Sequence, residues 1–130
     1  MKSYALRRAG GGLLATQVAL VHAGFVARPL LVIDTGSLYT IVEPSFVSAL
    51  GLDSAKAIDQ VKITGIGGRV RVPCFVVEQL HCFGRVLSGV RVLTLEFARI
   101  LPSINGVLGL RELQICQATI DPMQRLVITL

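Results

Sequence analysis

The chain has 130 residues, about one domain, with 52% of them hydrophobic and only 16% charged. That balance excludes a disordered chain and leaves enough apolar surface for a partner to cover part of it. The net charge of +5 does not define a nucleic-acid binder. The Arg and Lys residues are dispersed, and no aromatic residue for base stacking separates Lys62, Arg69 and Arg71.

Residues 1–12 read as a basic N-terminal tail or arm that ends in glycines, and residues 13–130 as one folded domain. Lys2, Arg7 and Arg8 ahead of a modestly apolar run have the look of a signal peptide. Thr16, Gln17 and His22 interrupt that run, which is too short and too polar to span a bilayer. Leu13–Val21 is therefore expected as a strand, followed by a turn at His22-Ala23-Gly24. Phe25–Ile33 is expected as a second strand with an edge or bulge at Pro29. Its last part, Leu30–Ile33, is continuously apolar and should be buried on both faces.

That strand runs into Asp34-Thr35-Gly36-Ser37. A short helix follows, with Pro44 at its first position, Gly51 at its stop and Phe46, Val47 and Leu50 on its apolar face. Val61–Thr64 and Val70–Val77, joined by Gly65-Ile66-Gly67-Gly68, read as a hairpin. Leu80–Phe83 and Val86–Leu95 continue the meander, with Gly84 and Gly89 as turn or bulge points. Ile104-Asn105-Gly106 is another turn. Val107-Leu108-Gly109 leads into one helical turn carrying Leu110 and Leu113. Ala118–Ile120, a turn at Asp121-Pro122 and a strand over Leu126–Leu130 complete the order. The β-branched runs and scattered glycines predict an all-β fold with one or two short helices.

Cys74, Cys82 and Cys116 are odd in number, with no C-x-x-C and no His pair at zinc spacing. They read as buried reduced thiols, with no metal site, which fits a reducing, cytoplasmic compartment. His22 and His81 lack the partner pattern of a nucleophilic pair. Gly65–Gly68 has no βα unit around it and does not match a phosphate loop.

Asp34 is the residue with chemistry to explain. A carboxylate directly after four apolar strand residues is expensive to bury when ionised. Backbone N–H groups of the turn, a hydroxyl or a shared proton must compensate its charge. The structural alternative is an Asx-type turn that closes the strand.

The surroundings favour chemistry. The sequence resembles the retroviral-type, retropepsin-like aspartic protease family at four places in the right order. These are Leu31–Ile33 with Asp34-Thr35-Gly36-Ser37; Ile63–Val70, like the flap hairpin; Asn105–Leu110, like the apolar-apolar-Gly segment and its helix; and Leu126–Leu130, like the terminal interface strand. The resemblance covers about residues 13–130 and implies a closed β-barrel or sandwich with a flap. It implies that Asp34 is one half of a catalytic pair and that Thr35 bonds across the base of the pair. Gly36 would donate an N–H to the carboxylate, and Ser37 would hydrogen-bond its outer oxygen. Gly65, Ile66, Gly67 and Gly68 would form the substrate-binding flap, and Val107 and Leu108 would pack beneath the loop.

Asp53, Asp59 and Asp121 lack such a loop, so the second carboxylate would come from a second copy of the chain. The resemblance thus implies a homodimeric aspartic endopeptidase acting on a peptide or protein substrate. It implies no cofactor, no metal, no nucleic acid and no membrane. The alternatives are a non-catalytic module of the same fold that binds peptides or mediates dimerisation, and a monomer whose half-formed cleft depends on another protein.

Overall fold

The computed structural model describes residues 1–65, 68–97 and 102–130. In chain order the strands are β1 (Lys2–Ala5), β2 (Arg7–Ala9), β3 (Leu13–Gln17), β4 (Ala19–His22), β5 (Phe25–Ala27), β6 (Leu30–Ile33) and β7 (Thr40–Val42). Helix α1 (Pro44–Ser48) and a 3-10 turn (Ser54–Lys56) precede β8 (Asp59–Gly65), β9 (Gly68–Cys82) and β10 (Arg85–Thr94). The chain continues through β11 (Gly106–Leu108), α2 (Leu110–Ile115), β12 (Ala118–Asp121) and β13 (Leu126–Thr129). The all-β class expected from the sequence is what forms.

The main sheet curls through the order β2-β3-β6-β11-β7-β10-β9-β4-β5, with β8 paired to β9. A second sheet has the order β1-β13-β12. Neighbouring residues on the central strands enter different cores because side chains alternate across a strand. Leu31, Val42, Phe75, Val92 and Leu108 pack into a cluster with Val47 of α1 and Leu50 just beyond its end. Val32, Ile41, Cys74, Leu93 and Val107, each one residue away, pack into a second cluster with Val72 and Ile104. Burial on both faces explains why these strands are apolar runs without alternation.

Several boundaries differ from the sequence reading. Much of the arm expected at residues 1–12 is strand: Lys2 pairs with Thr129 and Arg7 with Ala15. The strand expected over Leu13–Val21 breaks at Val18, whose N–H donates to the Pro29 carbonyl (3.1 Å). Phe25–Ile33 divides at Arg28-Pro29, as a proline within a strand favours. Val70–Val77 and Leu80–Phe83 form one strand, β9, because the ladder to β10 runs on through Val77↔Val90, Gln79↔Ser88 and Cys82↔Arg85. Pro73 sits next to the residue where that ladder ends, so its missing N–H leaves β10 without a lost bond.

All three cysteines are free and buried, and the Cys82 and Cys116 sulfurs lie 3.6 Å apart. The hydrogen bond with Cys116, and then burial, push the Cys82 thiol up and hold it protonated. Among the described residues no helix is long and apolar enough to cross a membrane.

Candidate active site

Strand β6 lies between two partners, antiparallel to β3 through Ala15↔Val32 and parallel to β11 through Val107↔Val32. Leu31 and Val32 are buried, and the chain emerges at Asp34, which is half-buried. The Asp34 N–H donates to the Leu108 carbonyl (3.1 Å), extending the parallel ladder to the residue that bears the carboxylate. The loop then folds on itself. The Gly36 N–H donates to Asp34 Oδ1 (2.9 Å), and the Ser37 N–H donates to the Asp34 carbonyl (3.3 Å). A Cβ on Gly36 would stand 3.2 Å from Asp34 Oδ1, so a side chain there would crowd the carboxylate.

The turn is docked from below. Helix α2 begins with N–H groups that have no partner inside the helix. Leu110 donates to the Ser37 carbonyl (2.7 Å) and Arg111 to the Leu38 carbonyl (3.3 Å). The Gly109 N–H donates to Oγ1 of Thr40, which is fully buried (3.0 Å). A Cβ at Gly109 would collide with the Tyr39 carbonyl, so glycine is required where the two segments touch. Glu112, in the first turn of α2, is also buried. Burial raises its carboxyl above the ordinary value, opposed by hydrogen bonding from Thr40 and by the charge of Arg111.

The structure brings the expected Asp34, Gly36, Val107 and Leu108 together. Thr35 is exposed on the turn. Ser37 differs from the expectation: its hydroxyl donates to the Tyr39 carbonyl (2.7 Å), not to Asp34. A hydroxyl has one proton to give, and the bend at Leu38-Tyr39 turns the nearest carbonyl toward it. Gly65 and Gly68 pair at the end of the β8–β9 hairpin, while Ile66 and Gly67 lie outside the described residues. Val61, Ile63 and Val72 of the hairpin pack in the cluster that holds Val32 and Val107. The hairpin base therefore rests on the strands that carry the Asp34 loop.

Sequence reasoning missed Thr40 and Glu112. The available signal was a hydroxyl opening the apolar run Thr40-Ile41-Val42 and a carboxylate beside Leu113 on a short helix.

A strand-borne Asp-Thr-Gly turn braced by a Gly-capped helix beneath a hairpin is the arrangement of an aspartic protease lobe. The chain belongs to the aspartyl protease family, whose sequence profile matches residues 27–111. No curated protein sequence is significantly similar to it. Among solved structures it is similar to a retropepsin-like aspartic protease from Rickettsia conorii, with a TM-score of 0.73 and 15% identity over 98% of this chain and 89% of that one. It is also similar to EIAV protease complexed with the inhibitor HBY-793, with a TM-score of 0.59 and 19% identity over 85% of this chain and 94% of that one. At these identities the likeness speaks for a retropepsin-like fold.

Proposed function

We propose that the chain is a homodimeric aspartic endopeptidase in which Asp34 and the Asp34 of a second copy activate one water between them. The observation that carries this reading is the loop itself. One carboxylate stands half-buried at the end of a buried strand, with one oxygen held by the Gly36 N–H. The residues beside it favour a second loop across an axis. Thr35 is exposed, and Leu38 leaves 53% of its surface uncovered. An interface of roughly 2,000 Å² or more would fit an obligate dimer.

In such a pair one carboxylate takes a proton from the water as the water attacks the peptide carbonyl. The other, protonated, donates to the carbonyl oxygen. Two carboxylates so close do not both ionise, so the working state holds one shared proton. This is the known behaviour of aspartic proteases as a class. Cleavage should then depend on pH in a bell shape.

The test is a peptide-library digest by wild type and Asp34→Asn from acid to neutral pH, with sedimentation of both. The substitution keeps shape, so fold and dimer should persist while cleavage falls by about a thousandfold or more. Cleavage that persists in Asp34→Asn refutes the mechanism. A dimer that cuts nothing at any pH moves the assignment to a non-catalytic peptide-binding or dimerisation module.

A further inference from the structure

The β8–β9 hairpin has two unlike faces. Its register pairs Lys62 with Arg71, Thr64 with Arg69 and Gln60 with Pro73, and each cross-strand pair shares one face. The other face carries Val61, Ile63 and Val72, which pack in the second core cluster, and Val70 nearer the tip, which is exposed. Lys62, Arg69 and Arg71 are thus gathered on the face turned away from that core, and all three are exposed.

Two cations directly opposite each other in a ladder are destabilising. Here Lys62 faces Arg71 directly, and Arg69 lies two residues along. Among the described residues no carboxylate approaches within 4.0 Å of their nitrogens. Asp59, the acidic residue of β8, belongs to the other face by its register with Cys74.

The same face continues down β9 into an open groove of about 330 Å³, lined by Pro44, Val47, Leu52, Pro73 and Phe75. Asp53 also lines this groove, with Oδ1 accepting the Ala55 N–H (3.0 Å). Its charge turns acidic groups away from the groove and leaves that position to an apolar side chain. From Phe75 to Arg69 is six strand residues, roughly 20 Å. Arg69 and Arg71 are roughly 7 Å apart, the spacing of alternate side chains on an extended peptide.

We infer that the outer face of the hairpin and the adjoining α1–β9 groove form a docking surface for an extended acidic protein segment. An apolar side chain of the segment seats among Pro44, Leu52 and Phe75, and carboxylates at alternate positions lie along Arg71, Lys62 and Arg69. Charge complementarity selects this occupant. This docking does not rest on peptide cleavage, because it lies on the hairpin face opposite the cluster that underlies Asp34.

The experiment is fluorescence anisotropy with a fluorescein-labelled peptide bearing Glu at alternate positions followed by Leu-Phe, titrated with Asp34→Asn protein so that the probe survives. The peptide should bind, and binding should weaken as salt is raised. The triple variant Lys62→Gln, Arg69→Gln, Arg71→Gln should bind at least about tenfold more weakly with an unchanged circular dichroism spectrum. Ser48→Trp, which fills the groove from α1, should also weaken binding. A Gln-for-Glu version of the peptide should lose the same tenfold. Undiminished binding by the triple variant, equal binding of the Gln peptide, or no binding by the starting protein overturns the proposal. Tighter binding of a labelled single-stranded oligonucleotide than of the peptide overturns it in favour of nucleic acid.

Discussion

Replacing Thr40 with Val should destabilise the fold by about 3 kcal/mol, and the reason is local to the Asp34 loop. Valine keeps the shape of threonine, so packing at this fully buried position changes little. The hydroxyl, however, is the acceptor for the Gly109 N–H at 3.0 Å, and hydrogen bonding from Thr40 favours the ionised form of Glu112. A buried N–H left without a partner costs about 1–3 kcal/mol, and a carboxylate that loses a donor adds to this. For a domain of this size each kcal/mol lowers Tm by roughly 3–5 °C, so the midpoint should fall by about 10 °C. Thermal unfolding followed by circular dichroism measures it. Thr40→Ser is the control, since it keeps the hydroxyl and loses a methyl at about 1 kcal/mol. A Thr40→Val midpoint within about 2 °C of wild type, or a Thr40→Ser variant as unstable as Thr40→Val, refutes the argument.

Glu112→Gln tests the buried carboxylate through pH. Burial raises the Glu112 pKa above its ordinary 4.5, so the folded state favours the protonated form. The stability this supplies is complete below 4.5 and is lost as pH rises through the raised value. Glutamine does not titrate, so denaturation midpoints of Glu112→Gln from pH 4 to 8 should fall less than those of wild type. Gly36→Ala should leave Tm close to wild type but lower kcat/KM by roughly 100-fold, because the added Cβ displaces the carboxylate 3.2 Å away. Ser37→Ala should lose about 1 kcal/mol in denaturant titration with the hydrogen bond to the Tyr39 carbonyl. Its cleavage optimum should stay at the same pH, since the hydroxyl does not donate to Asp34.

Local sequence carried the parts of the fold whose cause is local. Leu30–Ile33 is apolar throughout because both faces of β6 are covered, and Gly36 marks the turn that follows. Pro44 opens α1, and the glycines after Thr64 mark the hairpin. Features caused by distant residues were not legible. Lys2–Ala5 reads as a charged tail because the strand it pairs with lies at the far end of the chain. Thr40 reads as an ordinary strand threonine, since its partner is 69 residues away. The resemblance assigns the Ser37 hydroxyl to the carboxylate, but the bend that draws it toward Tyr39 depends on α2 holding the carbonyls of Ser37 and Leu38.

The 15 residues of β9 give the hairpin a mechanical character. One end of the strand is paired to β8 alone; the rest is held by β10 and, near Cys82, by β4. The first firmly gripped residues are Val72 and Cys74, buried in the second cluster, and Pro73 between them marks where β10 lets go. Gly68 lies four residues beyond Val72, roughly 13 Å along the strand. The strand is thus a lever with its fulcrum at Val72. A tilt of about 10° there would carry Gly68 through roughly 2 Å without breaking a rung of the β9–β10 ladder. Substitutions at Val72 or Cys74 would therefore move the pivot, and change the reach of the hairpin, from a position well removed from its tip.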